Sequence, residues 1–290
     1  MENSTPIRIT ECPRDAMQGI KTFIPTETKA EYINALLKCG FDTIDFGSFV
    51  SPKAIPQMQD TAQLLDLLTT DTTSKLLAIV ANERGAEQAV EQGRIDYLGY
   101  PFSVSEEFQL RNTNSTIEES LHRVEAIQNL AVKNGKELVV YLSMGFGNPY
   151  GEAWSPELVI KWSERLSQDL GIKNLALSDT IGCGTPEIVT QLFQDLIPAL
   201  PAVEFAAHLH TLPQNAATLV EAAYKAGCRK FDGALKGFGG CPMAKDDLTG
   251  NMPTELMIGW LEENKIDTGI DQQAFAAALQ LANNVFNQYA

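Results

Sequence analysis

The chain has 290 residues, 44% hydrophobic and 20% charged, with a formal net charge of −15. That length buries a sizeable core, and α/β barrels fill roughly 250 residues as one domain. So acidic a chain is a poor non-specific binder of nucleic acid or anionic membrane, since both are polyanions, and no stretch approaches the roughly 20 apolar residues of a membrane span.

Residues 1–10 show no cationic region followed by an apolar run, so no signal peptide is expected and the protein reads as cytoplasmic. The five cysteines are Cys12, Cys39, Cys183, Cys228 and Cys241. Their odd number and unpaired spacing argue against a disulfide framework, and no CxxC suggests a zinc ribbon.

Short β-rich runs alternate with longer helical patterns. Strands are expected at residues 7–12, 43–47, 75–81, 95–102, 137–144, 174–178, 204–210 and 230–235. Leu138-Val139-Val140-Tyr141-Leu142 is near-continuously apolar, as in a strand covered on both faces. Helices are expected over residues 27–38 after Thr26, from Ser115 or Thr116 to about 135, after Ser155-Pro156, and over 213–226. The alternation gives about eight βα units, the number a TIM (β/α)8 barrel needs. A doubly wound sheet is the alternative, but it usually opens on a Gly-rich turn, and here the first junction is Cys12-Pro13-Arg14-Asp15. The whole chain reads as one catalytic domain, with the barrel over about 7–265 and an extra amphipathic helix over about 271–289. That helix packs on the barrel or at a subunit contact.

In such a barrel the active site lies at the C-terminal ends of the strands. Arg14 and Asp15 follow the first strand, Asp45 and Ser48 end the second, and Asp179 and Thr180 end the sixth. His208-Leu209-His210 ends the seventh, and two of the three histidines are therefore here. Positions i and i+2 of a strand share a face, so both imidazoles can reach one divalent ion. The competing reading is a hydrogen-bonded pair of core histidines. Asp15, on the strand beside the eighth, adds a carboxylate. A mixed N/O set suits Mg²⁺, Mn²⁺, Co²⁺ or Zn²⁺. His122 reads as a surface or packing residue. Cys241, preceded by Gly239-Gly240 and followed by Pro242, sits where a mobile loop can close over the barrel mouth.

These residues resemble the 3-hydroxy-3-methylglutaryl-CoA lyase family, within a larger group of metal-dependent lyases and acyl transferases on this barrel. The resemblance rests on Pro13-Arg14-Asp15-Ala16-Met17-Gln18, Ser48-Phe49-Val50-Ser51-Pro52-Lys53, Pro56-Gln57-Met58 and Asp179-Thr180-Ile181-Gly182. It continues through His208-Leu209-His210, Gly239-Gly240-Cys241-Pro242-Met243-Ala244 and Thr249-Gly250-Asn251. It implies cleavage of a 3-hydroxyacyl-CoA to acetyl-CoA and acetoacetate, assisted by Mg²⁺ or Mn²⁺. By the same resemblance Asp15, His208, His210 and Asn251 ligate the metal, Arg14 stabilises the enolate oxygen, and Cys241 transfers a proton. The general base is Asp15 or His208. Gln18, Asp45, Ser48, Asp179 and Thr180 are expected to touch substrate or support the site. Lys21 and Lys53 are candidates for the CoA phosphates, or solvated surface lysines. Asn112, Asn148 and Tyr150 are expected at the mouth. A homodimer is expected, since family members often associate.

This chain departs from the pattern around the site. Asp45 stands where the family has Glu, and the shorter side chain is expected to leave a water-filled gap or a displaced bond to Arg14. Thr211-Leu212-Pro213, Met243 and Lys245-Asp246-Asp247 also differ. The rival readings are a lyase or aldolase for another 3-hydroxyacyl-CoA or hydroxy-keto acid, and a barrel that binds acyl-CoA without turning it over.

Overall fold

A computed structural model describes residues 5–240 and 249–290. Eight parallel strands close on one another in chain order. They are β1 (Arg8–Glu11), β2 (Thr43–Ser48), β3 (Lys75–Ile79), β4 (Tyr97–Ser103), β5 (Glu137–Ser143), β6 (Asn174–Asp179), β7 (Glu204–Leu209) and β8 (Lys230–Gly233). β1 closes the ring against β8, Arg8 opposite Lys230 and Glu11 opposite Gly233. This is the expected TIM barrel, each strand lying within two residues of its predicted bounds.

Alternation along the strands divides the core in two. Leu77, Ile79, Val139, Tyr141, Ala176 and Ala206 fill the barrel interior. A larger apolar layer lies between strands and helices. Gly99 makes room inside, because a Cβ there would stand 2.5 Å from Ile79 and 3.1 Å from Tyr141.

The helix starts follow local chemistry. Thr116 caps Ile117–Lys133 in a reciprocal capping box with Glu119, and Ser155 caps Pro156–Glu164. Thr26, expected as a cap, is instead the first residue of Thr26–Leu36, and its hydroxyl donates to Asp60 Oδ2 at 2.8 Å. The C-terminal helix Gln272–Tyr289 packs on the barrel's outer layer. Phe275 meets Phe41, and Phe286 meets Tyr32 edge-on and stacks on Phe238 at 4.1 Å. Among the described residues no helix is long and apolar enough to cross a membrane.

Candidate active site

The helix Pro13–Gln18 begins immediately after β1, and its first turn delivers Arg14 and Asp15 to the barrel mouth. One turn on, Gln18 ties the two together. Its Oε1 accepts from Arg14 Nη1 at 2.9 Å, and its Nε2 donates to Asp15 Oδ1 at 2.8 Å. This is the i, i+4 and i, i+3 spacing at which helix side chains meet.

Arg14 is aimed by Asp45. Nε lies 3.1 Å and Nη2 2.5 Å from Asp45 Oδ2, and Nε lies 3.2 Å from Oδ1. The expected gap is therefore absent. A bulge at Phe46 shifts the β2–β3 register between Asp45 and Gly47, at the end of the strand that presents the shorter carboxylate. Burial works against the charge on Arg14, but Asp45 and Asp15 outweigh it and hold the guanidinium protonated. Burial pushes the Asp45 carboxyl up to about 6 against the pull of Arg14, which leaves the pair ionised at neutral pH.

β7 and the residue after it bring in the histidines. His208 Nδ1 lies 3.1 Å from Asp232 Oδ2, and its Nε2 lies 3.8 Å from Asp15 Oδ2. Burial would discharge His208, yet the Asp232 hydrogen bond and charge raise its pKa. His210 lies one residue beyond β7 and bridges to Asn251 on the returning chain. Burial first, then His208, lowers His210 to about 4, against the pull of Asp15 and of the Thr180 and Thr249 backbone. Burial would raise the Asp15 pKa, but Arg14 and the histidines lower it.

Asp15, His208 and His210 offer ligand atoms within 4.8 Å of one another. They fit a divalent cation: an ionised carboxylate, a neutral His210, and a His210 Nδ1 that is buried with no hydrogen-bond partner among the described residues. Asn251 stands beside them. Its Nδ2 donates to the Phe238 carbonyl at 2.8 Å, and its side chain hydrogen-bonds the Asp15 carboxylate. A second group, Cys12, His208 and Asp232, is equally close-set. Burial and the surrounding carboxylates push the Cys12 thiol well up, so it stays protonated and is the poorer ligand.

Above the cluster opens a cleft of about 250 Å³. Its floor carries Arg14, Asp15, His208 and His210, and apolar walls come from Ile79, Pro101 and other residues. Gln18, Thr180 and Asn112 line it as expected, and Thr180 also accepts the Met144 N–H at 3.0 Å. Ser48 and Asp179 do not line it. The Ser48 hydroxyl accepts from Val50 N–H and shapes the turn that presents Val50 to the cleft. The Asp179 carboxylate points the other way from Ser178 and Thr180 and accepts the Cys183 and Gly184 N–H groups. It anchors a turn. Asn148 does the same, accepting from Tyr150 and Glu152 N–H.

Lys21 and Lys53 are exposed, and neither is ion-paired among the described residues. Gln57 joins their two segments, donating to the Ile20 and Thr22 carbonyls at 2.9 Å and accepting from Ile24 N–H. His122 is exposed on its helix. Cys241, Met243 and Lys245-Asp246-Asp247 lie outside the described residues.

Three residues emerge only in three dimensions. Asp232 faces His208 across the β7–β8 register. Tyr141 lies edge-on to the His208 ring at 5.2 Å. Gln57 braces the mouth. A carboxylate level with the first histidine was readable once β7 and β8 are aligned; the other two carried no signal beyond an apolar run and a short motif.

Residues 7–282 match the family model described as HMGL-like. The chain is 35% identical over 266 residues to hydroxymethylglutaryl-CoA lyase of Bacillus subtilis, covering 92% of this chain and 88% of that protein. It is 32% identical over 275 residues to 3-hydroxy-3-isohexenylglutaryl-CoA/hydroxy-methylglutaryl-CoA lyase of Pseudomonas aeruginosa, covering 94% and 91%. Among solved structures it superposes on an HMG-CoA lyase from Acinetobacter baumannii in complex with coenzyme A and 3-methylmalate. The TM-score is 0.90 at 30% identity, over 99% of this chain and 93% of that one.

Proposed function

The chain belongs to the HMGL-like family, and we propose that it cleaves 3-hydroxy-3-methylglutaryl-CoA to acetyl-CoA and acetoacetate. The observation that carries this reading is the buried Asp15–His208–His210 cluster at the floor of the cleft, with Arg14 fixed beside it. Asp15, His208, His210 and Asn251 would hold the cation, Mg²⁺ or Mn²⁺. A cation at this site would supply Lewis acidity, lowering the pKa of the substrate's 3-hydroxyl.

The chain's own groups supply the rest. The hydroxyl proton passes to the Asp15–His208 pair, whose imidazole Asp232 orients. As the C2–C3 bond breaks, its electron pair moves onto the thioester and the hydroxyl carbon becomes the ketone of acetoacetate. Arg14 stands where the enolate oxygen develops, and Asp45 and Gln18 keep its guanidinium from turning away. Cys241 gives a proton to the acetyl carbanion, completing acetyl-CoA. The cleft takes the acyl group, and Lys21 and Lys53 meet the CoA phosphates at the rim. The same reading makes the protein a cytoplasmic homodimer.

The test is product identification. Incubated with 3-hydroxy-3-methylglutaryl-CoA and Mg²⁺ or Mn²⁺, the protein forms acetyl-CoA and acetoacetate, read by mass spectrometry. Cleavage of a different 3-hydroxyacyl-CoA in preference would move the assignment to that substrate.

A further inference from the structure

The chain leaves the barrel after β8 at Leu235 and returns at Thr254, and one side chain holds both feet. Glu11, on β1, is fully buried. Its Oε1 accepts the Leu235 N–H at 2.8 Å, and its Oε2 accepts the Thr254 hydroxyl at 2.5 Å. Glu11 points away from the cleft, since Thr10 and Cys12 on either side of it face the barrel interior.

Between these feet the returning segment is laid against the strand ends. Ala234 N–H donates to Met252, Thr254 N–H to Ala234, and Met252 N–H to Leu209. Thr211 N–H donates to the Gly250 carbonyl, which sets Asn251 beside His210. The fit is close. A Cβ at Gly233 would stand 2.7 Å from Thr254 Oγ1. At Gly239, whose φ is +93°, it would stand 2.6 Å from Asn251 Nδ2 and 2.7 Å from the Asp15 carbonyl. A small shift of the returning chain therefore moves Asn251 relative to Asp15. A buried carboxyl group is an expensive way to fill outer-layer space, where an apolar side chain would serve as well. Its two oxygens, one for each foot, are what an apolar residue lacks.

We propose that Glu11 is a positioning residue: by holding both feet of the loop after β8, it fixes Asn251 against Asp15 and so sets the affinity of the cation site. This rests on the reading of Asn251 as a metal ligand, and the experiment separates the two. Metal-stripped wild type, Glu11→Leu, Asn251→Ala and the double variant are titrated with Mn²⁺ by calorimetry, with folding checked by circular dichroism. Glu11→Leu, which keeps the bulk and loses both oxygens, is expected to weaken Mn²⁺ about ten- to a hundredfold, the range for groups that orient ligands. Asn251→Ala weakens it too, and the double variant is no weaker than Asn251→Ala. Should Glu11→Leu fail to fold, Thr254→Val releases one foot only and is expected to weaken Mn²⁺ by a smaller factor. Wild-type affinity in the folded Glu11 or Thr254 variant overturns the positioning role while leaving Asn251 a ligand. So does a double variant whose loss is the product of the single losses. Wild-type affinity in Asn251→Ala overturns the ligand reading itself, and the positioning role with it.

Discussion

Arg14 and Asp45 meet face to face at the ends of β1 and β2, both buried, with the guanidinium Nη2 2.5 Å from the carboxylate. An aspartate makes this contact even though the 3-hydroxy-3-methylglutaryl-CoA lyase pattern has the longer glutamate there. A bulge at Phe46 interrupts the β2–β3 register just beyond it. With Asp15 and Gln18 on its other side, Arg14 has one orientation available. Fixed donors of this kind stabilise a developing oxyanion without reorganising during the reaction.

Arg14→Met should lower kcat by at least about a hundredfold with little change in KM, because the interaction strengthens as the enolate forms. Steady-state kinetics checks this, and near-wild-type turnover would remove Arg14 from the mechanism. Asp45→Asn should lower kcat as well and destabilise the fold by about 3 kcal/mol, because it removes the carboxylate in direct contact with a buried guanidinium and leaves only Asp15, 3.7 Å away, to compensate it. Denaturant unfolding reads the second effect.

Asp232 touches no substrate but orients His208 through Nδ1. Asp232→Asn should weaken Mn²⁺ binding about ten- to a hundredfold while the barrel stays folded. Unchanged affinity would mean that the His208 ring is held by packing against Tyr141 alone.

Cys241→Ala should retain metal binding and lose most turnover. If metal affinity falls with turnover, Cys241 is a ligand and the proton-transfer role is wrong.

Glu11 gives the fold a pH dependence of definite sign. Burial raises its carboxyl from 4.5 to about 8, against the hydrogen bonds of Thr254 and Leu235 and with the help of Glu255. Between those values the native state holds a proton that the unfolded chain has released. Glu11's contribution is therefore fully present below about pH 4.5 and declines as pH rises through about 8. Thermal melts of wild type should lose stability over that window relative to Glu11→Gln, in which this slope is absent. Parallel slopes would show that Glu11 does not titrate there.

The barrel was legible because strand and helix periods differ and every unit kept its own signal. β5 reads as a strand from its apolar run alone. The metal cluster was legible because His208 and His210 share a face and Asp15 follows the neighbouring barrel edge. What escaped was set by side-chain direction and register. Asp179 and Thr180 look alike in the sequence, yet only Thr180 faces the cleft, one residue of alternation apart. Asp232 pairs with His208 only once β7 and β8 are in register. Glu11 resembles any strand-end glutamate until Leu235 and Thr254, more than two hundred residues away, close on it.

The most direct test of the cation cluster and Arg14 as the lyase centre is metal add-back. Protein is stripped of metal, mixed with 3-hydroxy-3-methylglutaryl-CoA, and titrated with Mn²⁺ while acetyl-CoA and acetoacetate are counted by mass spectrometry. The account predicts no turnover without metal, and turnover that saturates at one ion per chain with the two products in equal amounts. Full turnover by the stripped protein, or bound metal with no products, would contradict it.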